Sequence, residues 1–530
     1  MVHRAGARLV GNRERPMKIR SHFLREVAGL GIAQVIVGVC SIALMYIVSH
    51  RLTSEGLGLY VLARRSIAVL GPIILLGMDT ALPRYVGMAR DQAARYLTGA
   101  MVPVAASGVA TLAIAVAFAD PLARVVFRYP GTTLLFLAVA SHWLTYPVYT
   151  VVFAYFRGLR SIRIVSVVWI LYAAFPVAAS LFLKEFGVTD AERLTWFFGI
   201  TAGFTVLLAL VARAWGPWRW SWSRAQMQEL LHYGVPRVPS SFLLTATIST
   251  SVFLSAYLVD LRAVAILGVN LSALTYLELA VTPISLVLLP MVSELVGQRS
   301  REGLALVAAT IVPFAWHLGL AVSLLLPGIM PDVTVLWVGA ENTSRPIAAI
   351  FAVGAGWNLC YAILRGVINA LTARPVVTYL TLGSAVLAAV LGVTLGRLYG
   401  ILGLGISTAV PLILLGIATV GMANRYLGTH DAKPDLVFGV WIAGVAALVV
   451  AGDWVISQVG SDVIVTLMLK ITIRLLALSA LCFIAARTHL VWWEAATRRL
   501  GPRFEGAAAP AEPAPSSDPR KGELGRRSEP

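Results

Sequence analysis

Charge is what this chain of 530 residues has little of: Asp, Glu, Lys and Arg together make up 13% of it, about half of the ~25% usual in soluble proteins. That scarcity excludes a water-soluble fold. Cysteine is scarcer still, with Cys40, Cys360 and Cys482 alone. All three fall in apolar stretches without the paired spacing of a zinc site or a disulfide framework, and are read as packing residues. Also missing are a Gly-rich phosphate loop, a metal-binding helix and a nucleophile motif, so no cofactor, metal or ATP hydrolysis is expected, and the chain is not read as an enzyme. The formal net charge of +17 does not point to nucleic acid. The Lys and Arg residues stand in loops and tails beside apolar runs, the distribution that orients a membrane protein.

What is present is apolar sequence in long runs, with 58% hydrophobic residues and a mean hydropathy of +0.80. Crossing a bilayer takes about 20 apolar residues. The expected fold class is an all-α integral membrane protein of about fourteen spans, at 27–48, 59–78, 97–119, 132–156, 164–183, 194–214, 234–256, 263–289, 304–326, 346–371, 376–398, 401–422, 436–451 and 463–486. The first run follows a basic stretch, as a signal peptide would, but it is long and ends in Ser49-His50-Arg51 without a small-x-small cleavage site. It is read as a retained helix.

These runs divide the chain into a basic N-terminus (1–26), a first group of six spans (27–214), an interfacial linker (215–233), a second six (234–427), two further spans (428–490) and a tail (491–530) too poor in apolar residues to fold. The linker carries Trp218, Trp220 and Trp222, and indole rings favour the headgroup level. Basic residues alternate from one side to the other. One set of loops holds Arg84, Arg90 and Arg95, then Arg157, Arg160 and Arg163, then Arg213, Arg219 and Arg224, whereas the intervening loops hold fewer. By the positive-inside rule both termini are expected in the cytoplasm, which requires an even number of spans.

The two groups of six share punctuation. Leu82-Pro83 closes the second span and Leu289-Pro290 the eighth; Arg157-Gly158 closes the fourth and Arg365-Gly366 lies near the end of the tenth. The offsets are 207 and 208 residues. Because six is even, such a repeat is parallel, related by an axis along the membrane normal.

The opening of the chain has further pattern: Glu55-Gly56-Leu57-Gly58-Leu59-Tyr60, then Leu76-Gly77-Met78-Asp79 and Leu82-Pro83-Arg84-Tyr85, with Phe156-Arg157-Gly158 in the turn after the fourth span. Here the sequence resembles the polysaccharide transporters, or oligosaccharide flippases, of the multidrug/oligosaccharidyl-lipid/polysaccharide exporter superfamily, in outline over residues 20 to 490. The resemblance implies two six-helix lobes in a V around a central cavity, plus two C-terminal helices, in a bacterial cytoplasmic (inner) membrane. The lobes would rock to give alternating access. It also implies a polyprenyl-pyrophosphate-linked oligosaccharide as substrate, for a surface polysaccharide such as lipopolysaccharide or exopolysaccharide. Coupling to a proton or sodium gradient and contact with membrane lipids and polysaccharide-assembly proteins belong to the same expectation. A peptidoglycan-precursor flippase or a multidrug extruder of the superfamily, or a membrane glycan polymerase or ligase, are the competing readings. An organic-cation exporter would want carboxylates in its cavity, and a polymerase a sizeable outer loop, whereas the longest expected here has about 19 residues.

Ionisable residues inside spans cost roughly 2.5–3.5 kcal/mol at the bilayer centre and so mark function by default. Arg64 and Arg65 fall about 9–11 Å into the second span at 1.5 Å per residue. They either line the cavity, where a guanidinium fork suits a pyrophosphate, or snorkel and pair with an acid. Glu278, in the eighth span, is an ion-coupling site or the counter-ion of an Arg. Arg237 and Arg365, near span ends, either snorkel or make the cavity mouth cationic. His142 and His317 have no ligand partners at helical spacing and are read as packing residues. Lys470 and Arg474 share a face of the last span and are left unassigned. Pro72, Pro147, Pro176, Pro283, Pro313 and Pro411 interrupt spans and are expected to bend them.

Overall fold

Inside a bilayer every backbone N–H and C=O must find its partner within the protein, and a helix does this segment by segment. The computed structural model describes residues 15–159, 161–182, 191–214, 221–297, 300–372, 374–428, 433–459 and 465–477, with Leu481. Among the described residues every element is helical: α1 (Arg15–Ser49), α2 (Ser54–Leu75), α3 (Met78–Met88), α4 (Ala93–Ala117), α5 (Ala119–Phe127), α6 (Thr133–Gly158), α7 (Ile162–Phe182), α8 (Ala191–Ala214), α9 (Arg224–Gly234), α10 (Val238–Leu258), α11 (Leu261–Gly297), α12 (Arg301–Leu325), α13 (Met330–Val338), α14 (Arg345–Leu371), α15 (Val376–Leu427) and α16 (Lys433–Val459). Residues 465–477 are also helical. The tail, the first fourteen residues, Trp218, Trp220 and Cys482 lie outside the described residues.

Ten helices among the described residues are long and apolar enough to cross a membrane. One of them, α15, is 52 residues long and breaks at Gly400 (φ 57°, ψ −133°), so it spans the expected eleventh and twelfth runs as two rods. The second run, expected at 59–78, begins earlier and ends sooner. Thr53 accepts the Gly56 N–H at 3.2 Å and starts α2 at Ser54. Leu76 (φ 53°) and Gly77 (φ 74°) then take left-handed conformations that stop it, and α3 sets off in its place.

α2 is central: it packs on α6 and α8 of the first group and on α10 and α11 of the second. The repeat punctuation also has a packing role. A Cβ at Gly158 would lie 2.9–3.0 Å from Val86 and Pro83, and one at Gly366 would meet Leu289 at 3.6 Å. In each half the Arg-Gly pair therefore seats against that half's own Leu-Pro segment.

The C-terminal helices are held by charge. Arg474, 7% exposed, forks onto Asp453 of α16, with Nη1 to Oδ1 at 2.8 Å, and also donates to the Leu325 carbonyl at 2.7 Å. Lys470 reaches Asp332 of α13 at 2.7 Å, and Arg345 shares that carboxylate at 3.3 Å. The two residues left unassigned above thus tie 465–477 to α16, α12 and α13. Removing one partner of a buried pair strands the other, at about 3–5 kcal/mol. Asp453→Ala is expected to lower the thermal midpoint of the purified protein sharply, and Asp453→Leu combined with Arg474→Leu to recover most of the loss. Equal melts for the single variant and the parent would show the pair to be dispensable.

Candidate functional site

The two helix groups meet tightly at the end of the bundle that carries Asn342. There α2 and α11 touch backbone to side chain without room for a methyl group. A Cβ at Gly58 would fall 2.2 Å from the Leu261 carbonyl oxygen, and one at Gly268 would fall 2.1 Å from a Val61 methyl. Polar contacts reinforce the contact of the two groups. Ser54 donates to Asn342 at 3.0 Å, Asn342 to the Ser49 carbonyl at 3.2 Å, Trp337 to the Ile42 carbonyl at 2.9 Å and Tyr276 to the Ser41 carbonyl at 3.1 Å. From Leu57 to Ala63 of α2 all but Leu59 are buried, and from Ala263 to Leu274 of α11 all but Ile266 and Ser272.

Past this seal both helices open. Arg64 is exposed and Arg65 half-buried, and no residue of α11 from Thr275 to Ala280 is buried. Arg64 does not face the bundle's outside, because rings from other helices surround it. Its Cζ stands 4.2 Å from the Phe198 ring centre, and Tyr60, Tyr146, Tyr172 and Tyr276 are its electrostatic neighbours. The exposure is therefore to an internal crevice bounded by α2, α6, α7, α8 and α11. Arg65 borders Arg64 and Tyr276. No carboxylate lies within 4.0 Å of either guanidinium among the described residues.

Glu278 sits deeper along α11. Its Oε2 accepts the Asn358 side-chain N–H at 3.1 Å, and Arg365 lies within its electrostatic reach without contacting it. Arg365 stands over the Tyr361 ring at 5.7 Å and also senses Asp79 of α3. Arg157 donates to the Asp79 carbonyl at 2.5 Å. Arg237 is placed apart from this group, its Cζ 3.7 Å from the Tyr233 ring centre and its Nη1 2.8 Å from the Tyr233 carbonyl. The structure thus sets Arg64 and Arg65 near Tyr276, and Glu278 against Asn358 with Arg365 beyond contact, while Arg237 stands at the Tyr233 end of the bundle.

His142 is fully buried, stacked on Tyr146 at 5.3 Å, with Tyr172 Oη 3.4 Å from its Nε2, a packing role beneath the crevice. Among the described residues no cluster of three metal-ligating side chains occurs. The tyrosines around Arg64 escape sequence reading because they come from positions 60, 146, 172 and 276, on helices that only the fold brings together.

Neither a protein-family profile nor a curated protein matches the chain by sequence. Solved structures do match by shape. The lipid II flippase MurJ in an inward closed conformation aligns with a TM-score of 0.60 at 12% identity, over 86% of this chain and 98% of that one. An inward-facing multidrug resistance MATE family transporter of the MOP superfamily gives 0.56 at 16% identity, over 75% and 98%. The eukaryotic MATE transporter AtDTX14 gives 0.56 at 15%, over 76% and 99%. At these identities the likeness establishes the fold, that of multi-pass MOP-type transporters, and the neighbours are transporters rather than enzymes.

Proposed function

We propose that the chain is a flippase that carries a polyprenyl-pyrophosphate-linked oligosaccharide from the cytoplasmic to the outer leaflet of a bacterial inner membrane, by alternating access, in surface polysaccharide synthesis. The observation that carries this reading is the Arg64–Arg65 pair in a crevice sealed at one end, with no carboxylate in contact and tyrosine rings around it. Guanidinium forks bind phosphate oxygens bidentately, and they do so more strongly where water is scarce. An organic cation would be repelled by the same pair, which disfavours a multidrug extruder.

In this reading the Asn342 end is outer, the Tyr233 end is cytoplasmic, and both termini are cytoplasmic. Arg365 and Arg237 would make the inner mouth cationic, and Glu278 would serve as an ion-coupling group or as a balance for Arg365. The division into six, six and two spans, with an interfacial linker at 215–233, completes the scheme.

A second reading, a peptidoglycan-precursor flippase, is favoured by one finding: the lipid II flippase aligns over 86% of this chain, against 75% for the MATE transporter. Both substrates carry the diphosphate. The test is reconstitution of the purified protein in vesicles loaded, in separate arms, with a labelled polyprenyl-diphosphate oligosaccharide, lipid II and an organic cation. Export of the oligosaccharide supports the first reading and export of lipid II the second. Movement of the cation alone would overturn both.

A further inference from the structure

At the Tyr233 end two guanidiniums share one ring. The Arg84 Cζ lies 4.5 Å from the Tyr233 ring centre and that of Arg237 3.7 Å. Arg84 donates to the Tyr233 phenol oxygen at 3.0 Å and Arg237 to the Tyr233 carbonyl at 2.8 Å. Each guanidinium has five N–H donors, so most of them stay unused. Like charges held on one ring repel, and among the described residues no carboxylate lies within 4.0 Å of either. Glu229, the acid of this cluster, is engaged with the Tyr96 hydroxyl at 2.9 Å. An assembled, donor-rich pair with no carboxylate in contact is a site for an anion.

Its surroundings say which anion. α9 buries Leu230 and leaves Trp222, just before it, 52% exposed and Arg224 exposed, the pattern of a helix lying at the headgroup level. Arg84 is twenty residues beyond Arg64 in the chain, on the far side of the Leu76–Gly77 break. The three members come from α3, α9 and the turn leading into α10, at the point where the Gly77 and Gly234 backbones touch: a Cβ at Gly77 would lie 2.2 Å from the Gly234 carbonyl oxygen. A ligand here bridges the two helix groups where their backbones meet.

We infer that Arg84, Tyr233 and Arg237 form a binding site for the phosphate head of a membrane lipid, separate from the Arg64 crevice. The inference rests on the proposed function only in taking this end as cytoplasmic and Arg237 as part of its mouth. The phosphate chemistry has two sources, an anionic phospholipid and a polyprenyl diphosphate, and the test has an arm for each.

Purified protein is mixed with phosphatidylglycerol in one arm and with sugar-free polyprenyl diphosphate in the other, and bound lipid is read by native mass spectrometry. The parent is expected to retain at least one of them, and Arg84→Gln with Arg237→Gln to lose that retention about tenfold or more, as expected for charge-assisted hydrogen bonds. Retention of phosphatidylglycerol alone identifies bulk lipid as the ligand; retention of the diphosphate alone identifies the substrate's own head. The exposed single variant Arg84→Gln serves if the double variant does not fold, with a smaller loss expected. The diphosphate arm is run in an Arg64→Ala, Arg65→Ala background, so that the crevice does not hold the probe, and in the phosphatidylglycerol arm that background is expected to retain as much lipid as the parent. Equal retention by the parent and by folded Arg84 and Arg237 variants in both arms overturns the site, while export that still depends on Arg64 and Arg65 would leave the flippase reading standing.

Discussion

Replacing Arg64 and Arg65 together by Ala is expected to leave the protein inserted in the membrane and to reduce export to background. Each guanidinium offers charge-assisted hydrogen bonds worth about 1.5–3 kcal/mol apiece. Losing both predicts a fall of roughly two to four orders of magnitude in transport of a diphosphate-bearing lipid. The fold should survive, since no ion pair within 4.0 Å involves either residue and their removal strands no buried acid. Arg64→Lys with Arg65→Lys keeps the charge and loses the fork, and is expected to retain partial activity. The measurement is glycan at the surface of cells carrying the variant as their sole copy, with membrane insertion checked by immunoblot. Normal surface glycan in the Ala variant would refute the cationic crevice as the carrier of substrate.

The second large effect belongs to the seal at the Asn342 end. Gly268 packs its bare Cα face on Val61, and a Cβ there would sit 2.1 Å and 2.7 Å from the two Val61 methyls. Gly268→Val therefore cannot keep α2 and α11 in contact, and the rest state should shift toward one open at this end. Export is expected to drop at least about tenfold, because a conformational cycle stalls when one of its two states is strongly disfavoured. A cysteine placed at Ser272, one turn further along α11, in a background lacking Cys40, Cys360 and Cys482, should become reactive to an impermeant thiol reagent added outside the cell. Exchanging the two side chains, Val61→Gly with Gly268→Val, restores the volume balance and is expected to return much of the lost export. Unchanged export with the cysteine still protected would show that this contact does not gate the crevice.

These two sites differ in how far they could be read from residues alone. Two adjacent arginines in an apolar run are conspicuous against the cost of burying charge, so Arg64 and Arg65 stand out before any fold is known. The tyrosines that enclose Arg64 do not, because a Tyr in a span costs little and is common at interfaces. Gly268 is equally silent: glycine is frequent in membrane helices, and only the approach of α2 shows that this one has no room for a methyl group. Arg84 could be read simply as one more positive charge orienting a loop. Its pairing with Arg237 across Tyr233 depends on the α2–α3 break at Leu76 and Gly77, which the hydropathy pattern passes over as part of one run.

By itself the sequence determined the solvent and the element type. A chain with 13% charged residues and a mean hydropathy of +0.80 must lie in a bilayer, and a bilayer admits helices because their hydrogen bonds close within each segment. It also placed charge in the interior and doubled a pattern of Leu-Pro and Arg-Gly whose members meet in each half. Tertiary structure decided where α2 and α11 close on each other, which rings surround Arg64 and which guanidiniums share the Tyr233 ring. Those outcomes depend on contacts between helices far apart in the chain, at distances of a few ångströms, and a one-dimensional pattern of polarity does not encode them.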